Sequence, residues 1–98
     1  MELKRDLKNQ ALRCAKVLHE NYKAKKIFLI GSVATGYIHS MSDIDLVVEG
    51  LEPELYIEAL TKLYDLLEPG VELNLIPFED AFESLKQKTI REGKLVYG

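Results

Sequence analysis

The chain has 98 residues, 47% of them hydrophobic, and a formal net charge of −3. These values suit one domain over residues 1–98 with a modest core rather than disorder, and the acidic balance argues against a general nucleic-acid coat or a polybasic membrane anchor. Cys14 is the sole cysteine, so no internal disulfide is available, and a reduced, cytoplasmic setting is the simple expectation.

The first segment, about residues 2–22, carries Leu3, Leu7, Ala11, Cys14 or Ala15, and Leu18 at helical spacing. Its charged start, "MELKRDLKNQ", lacks the apolar region of a signal peptide. No apolar run in the chain approaches the roughly 20 residues of a membrane span. "NYKAKK" ends the helix, and "IFLIG" (27–31) is a short apolar run closing in glycine, as a buried strand does. "SVATGYIHSMS" (32–42) is small and polar, a loop or a single helical turn. "DIDLVVEG" (43–50) alternates and then turns apolar, which suggests a second strand.

Pro53 suits the first turn of a helix, along which Tyr56, Leu60, Leu63 and Leu67 repeat until Pro69-Gly70 stops it. "VELNLIP" (71–77) is a third strand. Its apolar residues alternate with Glu72 and Asn74, which share the opposite face. Phe82, Leu85 and Ile90 predict a last helix over about 79–92, with Gly93 as its C-cap. "KLVYG" adds an edge strand. The order is α-β-loop-β-α-β-α-β, without repeats, linkers or low-complexity segments.

Two features carry chemistry. Gly31-Ser32 leaves an apolar strand and enters a turn containing Gly36. Backbone N–H groups at such a helix start hold anions, and glycine lets a phosphate approach the backbone. The same pattern also serves as a plain strand-to-helix turn with a serine N-cap. Asp43 and Asp45 stand two apart on a strand, so both project to one face, roughly 6–7 Å apart. Converging carboxylates repel each other unless cations intervene. Mg²⁺ prefers carboxylate and phosphate oxygens, and two ions clamp the attacking and leaving oxygens of a phosphoryl displacement. Taken alone, the aspartates also read as a solvated strand start.

The two features stand at a fixed spacing: Gly31-Ser32-Val33-Ala34-Thr35-Gly36, five residues, then Ser42-Asp43-Ile44-Asp45-Leu46. Here the chain resembles the minimal nucleotidyltransferase family of the DNA polymerase β-like superfamily, whose pattern is G-S-x-A-R-G, five residues, then S-D-I-D-L. The resemblance runs along the whole chain. It implies an α/β (α+β) nucleotidyltransferase fold: a small mixed β-sheet of three or four strands with helices packed mainly on one face. It also implies transfer of a nucleoside monophosphate, AMP from ATP, onto an acceptor. Gly31 and Ser32, with Gly36 and Ser42, would hold the triphosphate. Asp43 and Asp45 would bind Mg²⁺, and a third carboxylate on the later strand would complete the metal site and help deprotonate the acceptor hydroxyl.

The chain departs from the pattern twice. Thr35 stands where the family often has arginine, which removes a cation near the phosphates. Where the family writes V-D-L-I-P-F, this chain has Leu73-Asn74-Leu75-Ile76-Pro77-Phe78. Asn74 then takes the place of the third carboxylate, and an amide cannot act as a base. Shifting the frame by two would give the role to Glu72, at the loss of the "IPF" match. The frame with Asn74 is favoured.

Members of this size resemble the antitoxin half of toxin–antitoxin pairs. There the acceptor is a tyrosine on a helical HEPN-type partner protein. The alternative is a catalytically weak module that keeps the fold and neutralises such a partner. A homodimer stays open. His39 reads as a solvated loop residue and His19 as a complement to the helix dipole. Cys14 reads as core, and Tyr56 and Tyr64 as core or rim. Lys86, Lys88, Arg91 and Lys94 are cations available to a triphosphate.

Overall fold

The structure, a computed structural model, describes residues 7–31 and 43–98. Its elements are α1 (Leu7–Asn21), β1 (Lys26–Ile30), β2 (Asp43–Glu49), a 3₁₀ turn (Pro53–Leu55) running into α2 (Tyr56–Asp65), β3 (Glu72–Pro77), a 3₁₀ turn (Phe78–Asp80), α3 (Glu83–Glu92) and β4 (Lys94–Tyr97). The four strands form one mixed sheet in the order β3-β2-β1-β4. β1 runs antiparallel to both β2 and β4, whereas β2 and β3 are parallel. The parallel pair requires a crossover, and α2 supplies it.

One face of the sheet holds the core. Ile27 and Leu29 of β1, Ile44, Leu46 and Val48 of β2, and Leu73 and Leu75 of β3 pack there. They meet the stripe Leu7, Ala11, Cys14, Ala15 and Leu18 of α1, and Ala59 and Leu63 of α2. The spacing of three and four along α1 puts these residues on one side of the helix, as expected. α3 packs against β1 on the other face, toward which Phe28 and Ile30 point. There Phe28 stacks on Phe78 at 6.3 Å, and the Lys86 ammonium lies 5.6 Å above the Phe78 ring. Two of the three described α-helices therefore cover one face, in keeping with the expected architecture. Among the described residues, no helix is long and apolar enough to cross a membrane.

The tyrosines of α2 finish the outer edge of β3. The Leu73 N–H donates to the Tyr64 hydroxyl at 3.0 Å, and the Tyr64 and Tyr56 hydroxyls donate to the carbonyls of Leu73 and Leu75 at 3.3 and 2.6 Å. An edge strand otherwise presents unpaired backbone groups. These two residues are thus rim residues whose polar ends do the pairing.

The C-terminal region corrects the expected helix. The segment 79–92 is split: a 3₁₀ turn ends at Asp80, Ala81 and Phe82 are extended, and α3 begins at Glu83. Phe82 and Ile90 are 86% and 61% exposed, and the residue that α3 buries is Thr89. Phe82 stands before the helix with extended dihedrals, the offset of five from Leu85 turns Ile90 by about 140° away from it, and the Thr89 hydroxyl satisfies itself on the Leu85 carbonyl at 2.8 Å. Gly93 does cap α3, but with extended dihedrals of −71° and 153°. Glycine is required there by close approach: a Cβ would stand 2.5 Å from the Thr89 carbonyl oxygen. His19 lies in the last turn of α1, as expected, and makes two further contacts. Its Nδ1–H donates to the Ala24 carbonyl at 3.1 Å, and its ring stacks on Tyr97 at 4.8 Å. It thereby joins α1 to β4.

Cys14 is fully buried, as expected of a core residue. Burial pushes its thiol from the ordinary 9.0 up to about 11, with Arg13 pulling weakly the other way. A raised pKa means that the folded state favours the protonated thiol. That contribution is complete below pH 9 and is lost as the pH climbs toward 11. Urea titrations of wild type and Cys14→Ala across this range will therefore show the wild-type advantage shrinking as pH rises.

Candidate functional site

Strand alternation places Asp43, Asp45 and Val47 on the face opposite the core. Val47 is fully buried there, while both aspartates are half-buried at the start of β2. Ile44, between the two aspartates, is fully buried in the core and fixes their direction. The parallel register sets Glu72 beside Asp43 and Asn74 beside Asp45. Neighbours in register share a face, so the polar side of β3 extends the acidic face of β2.

On its other side Asp45 faces β1, with Ile30 in register. Gly31 follows at the strand exit with φ +79°, in the left-handed region. Any Cβ there would overlap Asp45 Oδ2. Glycine is therefore demanded twice, by the backbone and by the carboxylate beside it. Gly31→Ala is expected to lower stability by about 1–2 kcal/mol through the dihedral alone. It also pushes Asp45 aside, so thermal melts and nucleotide titration should fall together.

Asn74 is not idle. Its Nδ2 donates to Asp45 Oδ1 at 2.7 Å, a charge-assisted bond across β2 and β3. Glu72 is exposed, and its Oε1 lies 3.5 Å from the Tyr64 hydroxyl at the sheet edge. Among the described residues, no group of three or more His, Cys, Asp and Glu side chains is arranged to hold a metal ion. The structure thus brings Gly31, Asp43, Asp45 and Asn74 together, and it does not bring Glu72 to the aspartates as a third carboxylate. Ser32, Gly36, Ser42, Thr35 and His39 lie outside the described residues.

The cations divide. Lys86 sits over Phe78, and Lys88, Arg91 and Lys94 are exposed. A cavity of about 600 Å³ lies at the far end of β2 and β3, beside Lys25, Gly50, Tyr56, Pro77 and Glu79. It lacks paired carboxylates beside a glycine turn. The chemistry of the acidic pair outweighs the volume. The role of Tyr64, one of the residues that set the surroundings of Glu72, escaped the sequence reading. Its helical spacing told only of core or rim, and nothing local signalled that its hydroxyl meets β3.

The chain that carries this constellation is similar to known proteins. Residues 13–98 match the family model described as "Polymerase beta, Nucleotidyltransferase". A protein of Methanocaldococcus jannaschii, provisionally named a protein adenylyltransferase, is 35% identical over 85 residues, which cover 84% of each chain. The crystal structure of a toxin–antitoxin with AMP-PNP matches with a TM-score of 0.69 and 28% identity, over 89% of this chain and 73% of that one. A structure provisionally named a minimal nucleotidyltransferase matches with a TM-score of 0.70 and 25% identity, over 94% and 97%. The fold, the extent of the family match and this relative agree: the chain belongs to the polymerase beta nucleotidyltransferase family.

Proposed function

We propose that the protein transfers AMP from Mg²⁺–ATP to a hydroxyl of a partner protein, as the antitoxin of a toxin–antitoxin pair with a HEPN-type helical partner. The observation that carries this reading is the placement of Asp43 and Asp45 on one face beside Gly31. The name of the Methanocaldococcus relative supports adenylyl transfer, and the AMP-PNP-bound toxin–antitoxin structure supports both the nucleotide and the partner. Two half-buried carboxylates on one face suit Mg²⁺, which takes its remaining ligands from phosphate oxygens and water. When bound, Mg²⁺ supplies charge neutralisation on the triphosphate.

The chain's own residues do the rest. Gly31, with Ser32, Gly36 and Ser42, would hold the triphosphate. In the transfer the acceptor oxygen bonds the α-phosphorus, the bond from that phosphorus to the bridging oxygen breaks, and pyrophosphate leaves with the electron pair. The acceptor proton goes to a carboxylate or to solvent. Asn74 cannot take it, because an amide has no basic site in this range. Positioning and charge neutralisation supply most of the rate in such reactions.

One observation favours a second reading. Asn74 donates to Asp45 where a base would stand, which suits a catalytically weak module that binds and neutralises its partner. A missing base costs roughly 10²–10⁴ in rate. The test is incubation with Mg²⁺, ATP and the product of the neighbouring gene, with label at the α or the γ position. Label retained on the partner from α-labelled ATP alone establishes nucleotidyl transfer. Transfer only by Asn74→Asp establishes the weak module. A protein that binds no ATP in any form refutes both.

A further inference from the structure

Asp45 is held from both sides. From β3, Asn74 Nδ2 donates to Oδ1 at 2.7 Å. From the exit of β1, Gly31 leaves Oδ2 the space that any Cβ would fill. A carboxylate only accepts hydrogen bonds, so the amide atom facing it is the nitrogen, not the oxygen. Asn74 therefore presents a donor, and no ligand atom, to the acidic pair. Glu72, the other carboxylate on this face of β3, lies by Tyr64 at the sheet edge, 3.5 Å from its hydroxyl. Among the described residues, Asp43 and Asp45 are the two carboxylates that remain here for cations. That number suits one Mg²⁺ whose shell is completed by phosphate oxygens and water. A second ion would have to compete with the Asn74 N–H for Asp45 Oδ1.

Building on the nucleotide reading above, we infer that Asn74 is a positioning residue that clamps Asp45 and restricts the site to one divalent cation per nucleotide. The hydrogen bond does for Asp45 what a second cation would otherwise do: it neutralises part of the charge and fixes the carboxylate plane. Aspartate at position 74 reverses both effects. It removes the donor, sets two carboxylates side by side in register, and creates the demand for a second ion.

The experiment uses the whole chain, Mn²⁺ and a non-hydrolysable ATP analogue, counting bound Mn²⁺ and bound analogue by equilibrium dialysis. Wild type is expected to bind one Mn²⁺ per analogue. Asn74→Asp should bind two, with the spin-coupled resonance of a close Mn²⁺ pair. Without metal, Asn74→Asp melts lower than wild type, and Mn²⁺ raises its melting temperature by more. Asn74→Ala keeps one ion but binds it roughly 10–100-fold more weakly, as loss of a partner that orients a metal ligand does. Two Mn²⁺ per analogue in wild type, one in Asn74→Asp, or unchanged affinity in Asn74→Ala each overturns the inference and leaves the nucleotide reading standing. Wild type that binds the analogue in no condition overturns both.

Discussion

Replacing Asp43 and Asp45 together with alanine is expected to reduce nucleotide transfer by at least about 10³-fold, the scale on which preorganised charge contributes to catalysis. Fold stability should hardly move. Both carboxylates are half-buried on the face away from the core, and their removal relieves repulsion between like charges. Against this stands the loss of the hydrogen bond from Asn74, worth roughly 1.5–3 kcal/mol for a charged acceptor. The two effects oppose each other, so melting curves should stay close to those of wild type. A large drop in activity with little change in melting separates a site from a scaffold. An active double variant would place the chemistry elsewhere in the molecule.

The second large effect lies between those two residues. Ile44 is fully buried and packs in the cluster shared by α1, α2 and the sheet. Ile44→Ala removes three carbons from a close-packed interior and leaves a cavity, at a cost of about 2–5 kcal/mol. For a chain of this size each 1 kcal/mol moves the melting temperature by roughly 4–8 °C, so a fall of more than about 8 °C is expected. Ile44→Val should cost only about 0.5–1.5 kcal/mol. Because the side chain anchors the stretch of β2 that carries both aspartates, Ile44→Ala should also weaken nucleotide binding in the cold, where the protein remains folded. Equal melting of the Ala and Val variants would contradict the packing described for this strand.

Much of this architecture was legible before any coordinates. The apolar run to Ile30, the alternation through Asp43 to Glu49 and the stripe from Leu7 to Leu18 are periodic, and burial follows periodicity. The same alternation told correctly that Glu72 and Asn74 share a face. What it could not tell was where Glu72 leads, because that depends on Tyr64, a residue eight positions earlier on another element. Nor does spacing reveal that Asn74 and Asp45 stand in register, since strand pairing is a tertiary property. The last helix shows the opposite failure. Phe82 and Ile90 look like core residues by type, yet they are exposed while Thr89 is buried. Residue type outran geometry there, because the extended Ala81 and Phe82 reset the phase of the helix that follows.

Asn74 changes meaning in the structure. By type it marks a missing base. By geometry it is the residue that holds Asp45 in place. The two descriptions are compatible: on the proposed reading, a site with Asp45 clamped and no base at position 74 would bind a nucleotide and transfer it slowly.

The most direct measurement is the intact mass of the partner protein after incubation with this chain, Mg²⁺ and ATP, set beside the same mixture with the Asp43→Ala/Asp45→Ala variant. Adenylyl transfer predicts a partner heavier by one or more AMP groups, located by fragmentation on a hydroxyl-bearing residue, and an unmodified partner with the variant. A partner of unchanged mass in both mixtures, under conditions where this chain binds ATP, would contradict transfer and leave a nucleotide-binding, partner-covering module. Equal modification in both would show that Asp43 and Asp45 are not its source.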